Sequence, residues 1–154
     1  MIDAQGPIAE AVLFRQIARA WGLERTGSRI VERLRRRLPA DVNRTREADN
    51  LFLWPAPRTI TDLPAPRIAD GHEDSRRHVD DVCIEELAAL VLLALKQYGA
   101  MPQTDTCRAV CRLLGMARMP AEAEARVASA MERLSAEGRI QNSGELTVLT
   151  PGGA

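Results

Sequence analysis

Three groups of side chains in this sequence have types and spacings that could do chemistry. The most concentrated is TGSRIVERLRRRL, Thr26 to Leu38, where arginines recur beside an apolar period. At about 100° per residue, Ile30, Val31, Leu34 and Leu38 fall in one arc suited to burial. Arg29, Arg33 and Arg36 fall opposite, with Glu32 among them and Arg35 and Arg37 at the flanks. Guanidinium groups presented in this way bond phosphate oxygens or guanine edges. Arg25 and Ser28 sit at the start of the same segment, and Arg44 and Arg46 follow in a polar loop from which they can reach an adjacent phosphate backbone. From Arg15 to Arg46 there are 10 Arg and 3 acidic residues, a local charge of +7. The second reading of these residues is a solvated basic face that docks protein.

The other two groups point to structure. Asp80–Asp81 and Glu85–Glu86 could suggest a metal-dependent nuclease, but they fit a solvated linker and the acidic first turn of a helix, where carboxylates favour the dipole. Cys107 and Cys111 are four apart, share a helix face and read as small core residues. Three cysteines without a CxxC argue against a disulfide framework or a zinc finger. His72 and His78 have no Cys or His at ligand spacing, so no metal is expected. The phosphate-loop, dinucleotide and nucleophile-elbow patterns GxxxxGK[ST], GxGxxG and GxSxG do not occur. No catalysis, cofactor or small-molecule substrate is expected of this chain alone.

The elements that must position these side chains come from 154 residues, room for one ordinary domain or two small ones. Hydrophobic residues make up 45% but aromatics only 3%, so the core must be aliphatic. No run approaches the roughly 18 apolar residues of a membrane span. The start, MIDAQGPIAEAV, lacks the layout of a secretion signal, and the cytoplasm is the default expectation. The net charge of zero hides an uneven distribution: +4 over 1–61, −5 over 62–86 and +1 over 87–154.

Ile8, Val12, Phe14 or Arg15, Ile17 and Trp21 predict a helix closed by Gly22, with Trp21 buried near Ile30 and Leu34. A second helix is predicted to Leu38, capped by Thr26 or Ser28 and stopped by Pro39. Leu51 to Trp54 reads as a strand. Four prolines (Pro55, Pro57, Pro64 and Pro66) and the polar GHEDSRRHVDD then predict a loose linker. Beyond it come helices over Ile84–Tyr98, Gln103–Leu114 and Ala121–Ala136, and a hairpin in RIQNSGELTVL turning at Asn142, Ser143 and Gly144. Three helices followed by a hairpin is the order of a winged helix. The second unit's third helix would show Glu122, Arg126, Ser129 and Arg133 outward, a mixed set suited to a scaffold or docking surface.

The two halves also repeat. A shift of 93 places Arg15 on Arg108, Arg19 on Arg112, Gly22 on Gly115 and Arg25 on Arg118. With four more residues, Arg29 meets Arg126, Ile30 meets Val127 and Leu34 meets Met131. The expectation is a mainly α fold with small β (α+β), in tandem winged-helix-like units: 1–56, a proline-rich acidic linker over 57–82, and 83–150. The first unit has no counterpart of Ile84–Tyr98, which would leave apolar surface uncovered. Excision from a longer polypeptide accounts for this better than coverage by the second unit.

The run GPIAEAVLFRQIARAWGLERTGSRIVERL, followed by LFLWP, resembles a domain of unknown function found near the C-terminus of large bacterial helicase–nuclease proteins of superfamily 1 type. Pro7, Ile8, Gly22, Arg25, Gly27, Ser28, Arg29 and Ile30 carry the resemblance, and Trp54–Pro55 and the later IEELA also fit. It implies association with helicase and nuclease domains and supplies no catalytic residues here. The expected function is a nucleic-acid-binding module, with DNA as partner through Arg25, Ser28, Arg29, Arg33, Arg36, Arg44 and Arg46. The alternative is a protein-interaction or dimerisation module with no nucleic-acid contact.

Overall fold

The computed structural model describes residues 1–55 and 63–152. The chain is α+β and mainly helical, and it divides into two compact units, Met1–Asp62 and Leu63–Ala154. The first contains α1 (Ile2–Gln5), β1 (Ile8–Ala9), α2 (Glu10–Ala20), α3 (Ser28–Arg35), β2 (Asn43–Glu47) and β3 (Asn50–Trp54). The second contains α4 (Ile84–Tyr98), β4 (Met101–Pro102), α5 (Gln103–Leu113), α6 (Ala121–Ala136), β5 (Ile140–Ser143) and β6 (Leu146–Leu149). Both run helix, strand, helix, helix, strand, strand. Both close an antiparallel three-stranded sheet in which the last strand lies in the middle, β1-β3-β2 and β4-β6-β5.

The core of the first unit gathers Ile8, Leu13, Phe14, Leu34, Val42 and Leu53. That of the second gathers Leu87, Leu90 and Val91 of α4, Val110 of α5, and Val127 and Leu134 of α6. Leu114, just past α5, joins them. The short strands β1, β2 and β4 carry too little apolar alternation to be read from sequence. β2 is NRTRE, held in place by its ladder with β3, where Arg44 pairs with Leu53 and Arg46 with Leu51. The second hairpin turns at Gly144 and Glu145, so Asn142 and Ser143 belong to β5 rather than to the turn. Gly144 takes the left-handed φ of +64° that glycine tolerates.

Three expectations are corrected. Trp21 is 59% exposed, and Trp54 is the buried tryptophan, its indole Nε1 donating to Thr45 Oγ1 at 2.8 Å. The period that aimed Trp21 inward was counted from Ile8, which lies in β1. The helix starts at Glu10 and buries Leu13, Phe14 and Ala18 instead. Secondly, α3 ends at Arg35, not Leu38. Arg37 N–H and Leu38 N–H turn back to Leu34 and Arg35 carbonyls in a tighter coil, as Pro39 disfavours α geometry before it. Neither Thr26 nor Ser28 caps it; the N-cap is Gly27, without a side-chain bond.

The third correction concerns the linker. Its residues 57–62 lie outside the described ones, but 63–82 form a strap bound to the second unit. Ala69 N–H donates to Leu113 O at 2.7 Å and Arg77 N–H to Leu114 O at 3.0 Å. Val79 and Val82 enter the core. Glu86, expected in a solvated first turn, is fully buried and accepts hydrogen bonds from Arg67 (2.8 Å) and Arg77 (2.8 Å) of the strap. Glu85 is also buried and pairs with Arg133 of α6 at 2.7 Å. Proline and charge counted for a loose linker because sequence does not show which charges find buried partners.

Candidate nucleic-acid interface

Arg25, Ser28, Arg29, Arg33 and Arg36 are all exposed on α3 or its flanks. Arg36 is held by Glu32 at 2.6 Å, an i,i+4 pair in solvent worth little to stability. Arg44 and Arg46 are exposed too, but in strand β2 rather than in a loop, with Thr45 pointing the other way. Arg44 Nη1 donates to Val42 O at 3.2 Å and Nη2 to Pro39 O at 3.4 Å, which steadies its stem and leaves further donors on the guanidinium.

The fold gathers only some of these residues. An open groove of about 790 Å³ runs between the start of α2, one side of α3 and the β2–β3 hairpin. Arg15, Arg35, Arg44 and Arg46 line it, over apolar surface from Phe14, Val31 and Leu51. Arg25, Ser28, Arg29, Arg33 and Arg36 do not line it. Arg15 and Arg35 are the members that sequence reasoning left out. For Arg35 the signal was its i,i+4 spacing from Val31 on one side of α3, legible only once the hairpin was known to face it.

Arg35 is anchored by Glu10, the first residue of α2 and itself buried. The Arg35 Nε lies 3.2 Å from each Glu10 carboxylate oxygen, and Nη2 also bonds to Oε1. Hydrogen bonding to Glu10, and then its charge, raises the Arg35 pKa further above an already basic value. The pair ties the start of α2 to the end of α3 and so holds one groove wall. Its charges offset each other; Asp49 also lines the groove, and the positive charge that remains comes from Arg15, Arg44 and Arg46.

The second unit supplies an internal control. Its matching groove, about 270 Å³, is lined by Gln103, Ala128, Met131, Glu132, Ser135, Ile140 and Asn142. In the register of the repeat, Gln103 stands for Glu10, Ala128 for Val31 and Glu132 for Arg35. Asn142 stands for Arg44, since they pair with Thr147 and Leu53, the central-strand residues that also pair with the matching Met101 and Ile8. No arginine or lysine lines it. The two arginines expected on the outer face of α6 turn inward. Arg126 donates to the Val79 and Val82 carbonyls of the strap, and Arg133 bonds Glu85 of α4 and Glu137.

His78, which has no Cys or His at ligand spacing, lies 3.6 Å from Asp80 and 3.3 Å from Glu122. These three could offer ligand atoms within 4.8 Å of one another. Arg126 Nε sits 3.7 Å from Asp80, however, so a cation already shares that carboxylate. Cys107 and Cys111 are buried in the core; burial, and next the neighbouring Cys111 thiol, push Cys107 up to about 12. Burial also raises Cys111. Neither forms a reactive thiolate near neutral pH.

Residues 1–32 match a family described as "Protein of unknown function (DUF3320)". That stretch holds the whole Pro7–Ile30 motif, while Trp54–Pro55 and IEELA lie beyond it. No curated protein and no solved structure matches the chain. Among the described residues, no helix is long and apolar enough to cross a membrane.

Proposed function

We propose that this chain is a non-catalytic nucleic-acid-binding module of two winged-helix-like units, in which the first unit contacts DNA. The observation that carries this reading is the convergence of Arg15, Arg35, Arg44 and Arg46 on one groove, against an equivalent groove in the second unit without a basic residue. The order of elements supports the winged-helix description: α3 takes the place of the recognition helix and β2–β3 that of the wing. On this arrangement Arg44 and Arg46 hold the phosphate backbone, while Ser28 and Arg29 at the start of α3 meet phosphates or base edges.

The second unit then serves as scaffold. An accessory role in a helicase or nuclease polypeptide, in the cytoplasm, rests on the resemblance of the Pro7–Ile30 motif. The other reading, a protein-docking module without nucleic-acid contact, is favoured by one observation, the exposed Trp21.

Binding of labelled single- and double-stranded DNA at a series of salt concentrations decides between them. Backbone contacts make log affinity fall linearly with log salt, by roughly 0.9 per phosphate neutralised on duplex DNA. Arg44→Ala with Arg46→Ala should reduce that slope by about two. Both side chains are exposed, so melting should be preserved. Absence of binding by the parent chain at low ionic strength refutes the DNA reading.

A further inference from the structure

The internal repeat also shows what the first unit lacks. The ends of α2 and α5 are built alike, 93 residues apart. Gly22 N–H bonds to Arg19 O and Leu23 N–H to Ala18 O, both at 2.9 Å; Gly115 N–H bonds to Arg112 O and Met116 N–H to Cys111 O, also at 2.9 Å. The two glycines share a left-handed φ, +74° and +78°. Their surroundings differ. A methyl placed on Gly115 would come within 2.7 Å of the Ala69 Cβ and 2.9 Å of the Arg76 Cγ of the strap, whereas one placed on Gly22 would meet no described residue within 4 Å.

The side chains repeat the contrast. Val110, Leu114 and Val127 are fully buried in the core that α4 and the strap complete, with Met116 packed against it. Their counterparts are Ile17, Trp21, Ile30 and Leu23. Trp21 is 59% and Leu23 38% exposed, and Ile17 and Ile30 are only half-buried. In the second unit α4 has 15 residues; in the first, α1 has four and packs on β3 rather than over this face.

We propose that the face made by Ile17, Trp21, Leu23 and Ile30 docks an acidic amphipathic helix of a partner polypeptide, in the position that α4 holds in the second unit. The repeat sets the helix's inner side as leucine- and alanine-rich, like Leu87, Leu90, Val91 and Ala94 of α4. Charge sets its flanks. Arg33 and Arg37 occupy the positions of Ala130 and Leu134, both fully buried in the second unit. Arg36 occupies that of Arg133, which pairs with Glu85 of α4. A helix laid over α3 therefore meets arginines where α4 meets apolar groups and one arginine, and it needs carboxylates to match them. This is recognition of a helix by an apolar groove, on a side of α3 separate from the arginine-lined groove.

The probe is a synthetic 15-residue peptide with the α4 inner-face residues and glutamates at its flanks, titrated into the full chain while tryptophan emission and acrylamide quenching are followed. The expected result is a saturable blue shift with protection from quenching, retained at high salt. Leu23→Ser, and Trp21→Ala followed by titration calorimetry because it removes the reporter, should each weaken binding by about tenfold or more, as for the central residues of an interface, without changing the melting temperature. Arg33→Glu with Arg37→Glu should weaken the glutamate peptide and favour one with lysines at the same flanks. No spectral change on adding peptide overturns the proposal. So does a Trp21-dependent change on adding oligonucleotide instead, which marks base stacking. Trp21-dependent self-association in sedimentation overturns it too, by naming a second copy as the occupant.

Discussion

Replacing Glu86 with Gln tests how the strap is held. The Glu86 carboxylate is fully buried and accepts five hydrogen bonds: Arg67 N–H (3.1 Å), Arg67 Nε (3.1 Å) and Nη2 (2.8 Å), and Arg77 Nη1 (3.0 Å) and Nη2 (2.8 Å). Glutamine keeps the volume, removes the charge and turns an N–H₂ toward one guanidinium. Two half-buried arginines are left without their anion. Breaking a buried pair by removing one partner costs about 3–5 kcal/mol, and at roughly 2–4 °C per kcal/mol for a chain of this size the chain should melt roughly 6–20 °C lower. Burial pushes the Glu86 carboxyl up, but the Arg67 and Arg77 hydrogen bonds and charges outweigh it and hold the pKa below the ordinary 4.5. A carboxylate held low stabilises the fold above its unfolded pKa, and the benefit is lost as pH falls through the lowered folded value. The gap between parent and variant should therefore be widest near neutral pH and narrow below about pH 4.5. Calorimetry across pH reads both effects, and hydrogen exchange at the Ala69 and Arg77 amides reports release of the strap. A variant that melts with the parent, or with unchanged protection at those amides, would refute the reasoning.

The two tryptophans should behave oppositely. Trp21→Ala should change stability by less than about 0.5 kcal/mol, as for an exposed site, and Trp54→Ala should cost about 3–5 kcal/mol; paired denaturation curves decide, and similar losses at the two would contradict the burial described. Cys107 and Cys111 should resist alkylation in the native chain and react at once in denaturant, because burial raises both thiols. Mapping iodoacetamide adducts checks this, and modification of the native chain at the rate of an open thiol would count against it.

Much of this protein is legible in one dimension. Ile84–Tyr98 and Ala121–Ala136 appear in the structure at the residues that periodicity assigns, because long helical periods ended near a glycine leave few alternatives. The repeat of Gly22 on Gly115 is equally visible, since a left-handed helix end demands glycine locally. The basic segment could be named from charge alone.

What sequence could not reveal depends on partners distant along the chain. NRTRE becomes a strand only because NLFLW lies beside it, and that pairing carries Arg44 and Arg46 to a groove wall opposite Arg35. Trp21 is open because no described residue of the first unit covers the end of α2, although its counterpart Leu114 is sealed in. Charge reads as solvation wherever composition is all that is seen. Only the tertiary fold could convert the strap's arginines into anchors for a buried Glu86, since a buried ion is tolerable only where its counter-ions converge in space.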